Sequence, residues 1–98
     1  MNDSVAAVLT AILDKYGEDI SRDPHRVEAL LRDLAGQHKR EIAVLAAASR
    51  AGVPDALLGA TSAEEADLLA HRLAAQLEGD LGLASGPAAW AVTTWAAA

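Results

Sequence analysis

Three histidines, fourteen carboxylates and no cysteine set the chemistry open to this 98-residue chain. His25, His38 and His71 fall on three different predicted helices. No two of them stand four residues apart, as a helical HExxH zinc site requires, and no acidic cluster converges with them in sequence. His38 lies on an apolar stripe and reads as a partly buried histidine with one hydrogen-bond partner. A serine nucleophile needs an elbow, a base and an orienting acid. No GxSxG occurs, and Ser4, Ser21, Ser62 and Ser85 all read as helix caps. Glu18-Asp19 falls in a turn. Glu64-Glu65 falls in a helix's first turn, where negative charge complements the dipole. No glycine-rich loop is built to cradle phosphate. The absence of cysteine excludes disulfides, thiolate metal sites and cysteine nucleophiles, and suits a cytoplasmic protein. The residues therefore predict no enzyme, no metal and no cofactor. Asp3-Ser4-Val5 is the nearest approach to the DSL serine of an acyl carrier, but no helix precedes it, and that reading is rejected.

Charge is the more informative feature. The chain carries a net charge of −6, which argues against general affinity for nucleic acid or anionic membrane. Yet its cations are gathered. Residues 1–20 have net charge −3, residues 21–50 have +2 and residues 51–98 have −5. Arg22, Arg26, Arg32, Lys39, Arg40 and Arg50 form the basic group, and Glu64, Glu65, Asp67, Glu78 and Asp80 the acidic one. Lys39 and Arg40 are placed in the first turn of a predicted helix, where the dipole disfavours cations by about 0.3–1 kcal/mol.

The elements that position these residues are helices. Val5, Val8, Leu9, Ile12, Leu13 and Tyr16 mark one helical face, with Ser4 as its cap and Gly17 as its left-handed stop. Asp23-Pro24 reads as N-cap and first helical position. Val27, Leu30, Leu31 and Leu34 follow as a second stripe, ended by Gly36, and Ile42, Leu45, Ala46 and Ser49 as a third, closed by Gly52-Val53-Pro54. The apolar phase runs on across Gly36, so one helix from Pro24 to Ala51 competes with two. Two are expected, because they fold back over a compact core. Asp55 to Leu58 makes one short turn ended by Gly59. Thr61 and Ser62 each face a Glu three residues on, as in a capping box. Ala66, Leu69, Ala70, Leu73 and Leu77 make the next core face, ended by Gly79 and Gly82. Ser85 and Pro87 open a last helix that buries Ala88, Ala91, Val92 and Trp95. Nothing alternates with period two. The expected fold is a single all-α domain, a compact bundle of five or six short helices spanning residues 1–98. No apolar run is long enough to cross a membrane.

Two features admit a second reading. Leu34 to Arg40 is compatible with the turn and recognition-helix start of a helix–turn–helix DNA-binding domain, the alternative function carried here. Trp90 lies about 140° around its helix from Trp95, so it sits on the flank of the core stripe. It serves there either as packing against a neighbouring helix or as an interface anchor.

The segments Ile12-Leu13-Asp14-Lys15-Tyr16-Gly17, Asp23-Pro24-His25-Arg26 and Ala29-Leu30-Leu31-Arg32-Asp33-Leu34 resemble a helical domain of multidomain proteins in actinobacteria and cyanobacteria. So do His38-Lys39-Arg40-Glu41-Ile42 followed by Gly52-Val53-Pro54, and Gly82-Leu83-Ala84-Ser85 with Trp90-Ala91-Val92-Thr93-Thr94-Trp95-Ala96. Such domains are similar to the bacterial death-like, effector-associated adaptor domains of signalling and conflict systems. The resemblance implies a death-fold-like bundle of six helices, the N-terminal module of a longer protein, whose work is homotypic or heterotypic docking. The expected partner is a protein, including another copy of the same domain. The expected interface is the basic group, the acidic group and Trp90.

Overall fold

Side-chain caps legible in the sequence open two of the helices. Asp23 accepts a hydrogen bond from the backbone N–H of Arg26, with Pro24 at the first helical position. Ser62 does the same for Glu65 at 3.1 Å. Glu65 reaches back in turn to the backbone N–H and hydroxyl of Thr61, one residue further than a simple capping box would place it.

The computed structural model describes residues 3–98, the side chain of Glu18 excepted. It contains α1 (Asp3–Tyr16), a 3-10 turn (Glu18–Arg22), α2 (Pro24–Ala35), α3 (Lys39–Arg50), α4 (Val53–Leu58), α5 (Ala63–Leu81) and α6 (Ser85–Ala97). No strand occurs among the described residues. The chain is an all-α bundle. Among the described residues, no helix is long and apolar enough to cross a membrane.

The chain breaks between α2 and α3, although the apolar phase crosses the gap. Gly36 keeps right-handed angles (φ −58°, ψ −22°), so it is not a left-handed stop. The turn is completed at His38, with φ −98° and ψ 59°. A Cβ on Gly36 would lie 2.6 Å from the carbonyl oxygen of Arg32, so the tight turn itself excludes a side chain. Gly17 has φ 84° and ψ 172°, a region open essentially to glycine alone. It ends α1 by donating to Leu13 O and then turns the chain into the 3-10 segment.

The core is aliphatic, as the composition requires. Val5, Leu9 and Ile12 of α1 meet Val27 and Leu31 of α2, Ile42 and Leu45 of α3, Leu73 and Leu77 of α5, and Val92 and Trp95 of α6. The Trp95 indole N–H donates to Leu45 O at 3.1 Å, so its burial leaves no orphaned donor. α2 pairs with α1 and with α3. α6 packs along α5 and against α3 and α4. The radius of gyration is 12.3 Å, close to the roughly 12.6 Å expected for a compact chain of this length.

Several sequence expectations are corrected. Ser4 lies inside α1, Ser85 is the first residue of α6 rather than its cap, and Ser21 is buried in the 3-10 turn, whereas Ser62 caps α5 as read. Gly79 lies within α5, which runs on to a left-handed Gly82. Leu34, read as core, is 61% exposed: α2 turns Val27, Leu31 and Ala35 inward, which puts Leu34 on the flank beyond half-buried Leu30.

Candidate interaction surface

The groups able to do chemistry are held apart by the fold. His25 is exposed near the start of α2, and His71 is exposed on α5, its Nδ1 2.9 Å from Asp67 O. His38 is half-buried and pairs with Glu41 at 3.3 Å. No group of three or more histidines and carboxylates among the described residues is placed to hold a metal ion. The Ser49 hydroxyl donates to Ser21 O at 3.4 Å and so locks α3 onto the 3-10 turn. A cleft of about 240 Å³ opens between the end of α1, the 3-10 turn, α4 and the end of α6. Its walls are Leu13, Pro54, Leu57 and Trp95, with Asp14 and Ser21 as the polar side chains.

All six residues of the basic group are exposed, but they differ in what they touch. Arg22 pairs with Asp55 at 3.1 Å and with Asp19 at 3.9 Å. Arg32 and Arg50 both pair with Glu28, at 3.0 and 2.5 Å, so one carboxylate on α2 bridges to α3. The hydrogen bond from Arg50, reinforced by Arg32, holds the Glu28 carboxyl below its ordinary value against the opposing effect of burial. Arg26 stacks on the Tyr16 ring, 5.2 Å from its centroid, with the Lys15 ammonium 5.5 Å from the same centroid. Lys39 and Arg40 enter no ion pair among the described residues, and both stand in the first turn of α3. α3 turns six of its twelve residues into the core. Lys39, Arg40, Ala43 and Arg50 are left exposed.

The acidic group is carried by α5. Glu64, Glu65, Asp67, Glu78 and Asp80 are all exposed. Hydrogen bonds from the Thr61 hydroxyl and backbone N–H hold the Glu65 carboxyl below its ordinary value. α5 packs on α6 and α4 and makes no extensive contact with α2 or α3. The basic and acidic groups therefore stand on elements with little mutual contact, and α6 packs on both α5 and α3. Trp90 is half-buried against the core, and its indole N–H points to Asp3 Oδ1 at 3.4 Å, tying α6 to the start of α1.

Four exposed residues outside these groups stand out on two separate surfaces: Lys15, Tyr16 and Leu34 line a groove between α1 and α2, and Leu68 stands on α5. Leu68 is 71% exposed. Its signal was in the sequence, because it stands one residue off the stripe of Ala66, Leu69, Ala70, Leu73 and Leu77. Tyr16 and Leu34 gave no such signal, since each ends a stripe that is otherwise core. Comparison with family models, with curated proteins and with solved structures finds no match for the chain.

Proposed function

We propose that this chain is a non-enzymatic interaction module, an adaptor that docks on a protein partner or on another copy of itself through opposed charged surfaces. The resemblance noted above gives the setting: a death-like adaptor in bacterial signalling or conflict systems, acting in the cytoplasm. One observation carries the reading. At the head of α3, Lys39 and Arg40 enter no ion pair among the described residues, while the acids of α5 stand on a helix that makes no extensive contact with α2 or α3. Opposite charges kept apart in this way are available to a second molecule. Charges at the rim of an interface mainly set the association rate and its salt sensitivity.

Sedimentation velocity across a concentration series tests the reading. Raising salt from about 0.01 M to about 1 M shortens the screening length from roughly 30 Å to 3 Å. Association is expected at low salt and is expected to weaken at high salt. A monomer at every concentration and salt level removes self-assembly. A heterotypic partner must then be captured by the wild type and lost when Lys39 and Arg40 are reversed to glutamate; capture that ignores the reversal overturns the docking surface.

A further inference from the structure

We infer that copies of this chain join head to tail, with the exposed face of α5 around Leu68 seated in the groove between α1 and α2 of the next copy. The inference rests on the interaction-module reading and adds to it a contact between copies that is separate from Lys39 and Arg40. The groove holds about 210 Å³ and is floored by Ile12 and Leu30. Tyr16 and Leu34 stand at its sides, 40% and 61% exposed. One end carries Lys15 and Arg26, both drawn over the Tyr16 ring, and the other carries Asp33. None of these three charges enters an ion pair among the described residues.

α5 presents the complement. Leu68 is the most exposed large apolar side chain among the described residues. Residues four apart on a helix share a face, so Glu64 lies one turn before Leu68 and Arg72 one turn after it. Both are exposed, and neither is in an ion pair among the described residues. The order along α5 is acid, leucine, cation. The order along the groove is cations, apolar floor, acid. With Leu68 in the groove, Glu64 faces Lys15 and Arg26 while Arg72 faces Asp33. The arrangement is helix-in-groove recognition with charges fixing the direction. The knob and the groove are different surfaces of one molecule, so the contact is heterologous: an open assembly carries a free knob at one end and a free groove at the other, and a closed ring carries neither.

That geometry has a specific test. Leu68→Lys removes the knob and Leu34→Lys blocks the groove. Both positions are exposed and lysine is a good helix former, and circular dichroism with a melting curve verifies the folds. Each variant alone is expected to lose association by roughly tenfold or more, the worth of one anchored leucine. An equimolar mixture is expected to recover a one-to-one dimer and nothing larger, because each variant keeps the surface that the other lacks. The charge pair gives a second arm: Glu64→Lys and Arg26→Glu should each weaken assembly, and their mixture should recover it. Wild-type association that both leucine variants retain in full, or variants that lose it and stay monomeric when mixed, overturns the head-to-tail contact and leaves the interaction module standing. A wild type that never self-associates overturns the contact together with the homotypic half of that reading.

Discussion

α3 and α5 are both alanine-containing amphipathic helices closed by a glycine turn, yet they sit in the bundle on different terms. α3 buries six of its twelve residues, and α5 buries two of nineteen, Leu73 and Leu77. α3 is enclosed by α2, α4 and α6, and it is tied further by Arg50 to Glu28, by Ser49 to Ser21 and by the Trp95 indole to Leu45 O. α5 leans on α6 and α4, and its ends are secured by its own caps, Ser62 and Gly82. The first helix is part of the core that defines the fold. The second turns most of its length outward, with acids and two leucines, Leu68 and Leu81, on show. In a chain of this size, a helix of about 28 Å, at 1.5 Å per residue, is a large share of the surface to leave uncovered.

The contrast should break first in the core. Leu45→Ala is expected to lower stability by about 2–5 kcal/mol, read by urea or thermal unfolding. Leu68→Ala should stay within about 0.5 kcal/mol of wild type. Equal losses at the two positions would mean that α5 is as deeply packed as α3. Next in size is the cap. Ser62→Ala is expected to cost about 1 kcal/mol and to raise amide hydrogen exchange along α5 while leaving α3 protected. Uniform loss of protection across both helices would contradict the idea that α5 depends on its own ends.

The smallest effect belongs to the α2–α3 bridge. Glu28→Gln removes the partner of both Arg32 and Arg50, at about 0.2–1 kcal/mol for exposed pairs. The sign with pH follows from the lowered carboxyl. A group whose folded value lies below its ordinary 4.5 adds stability above that pH and loses it as pH falls through the folded value. The gap between wild type and Glu28→Gln should therefore be full at neutral pH and close on acidification below about 4.5. A gap that widens in acid would reverse the assignment.

Much of the fold was legible because it is written in short-range signals. Asp23-Pro24, Ser62 and Gly52-Val53-Pro54 mark their helix ends as read, and the stripes of α3 and α6 are buried as their spacing requires. Periodicity failed at the edges of the stripes. Tyr16 continues its stripe in phase but is the last residue of its helix, and Leu34 lies on the flank of the buried line Val27, Leu31 and Ala35. The basic group was visible as composition, but its division into paired and unpaired cations was not. Arg22 meets Asp55 from 33 residues away and Arg50 meets Glu28 from 22, contacts that only the folded chain creates. What remains for a partner is a smaller set: Lys39 and Arg40 at the head of α3, and Lys15 and Arg26 around Tyr16.

The central claim is that two particular surfaces of this bundle, α5 around Leu68 and the α1–α2 groove, cover one another between copies of the chain. Amide and methyl NMR spectra recorded as a function of concentration at low salt test it most directly. Shifts should move along α5 from Glu64 to Arg72 and along the α1–α2 groove at Ile12, Tyr16, Leu30 and Leu34, and they should fade when salt is raised. Spectra that do not change with concentration, or changes centred on other faces of the bundle, would contradict it.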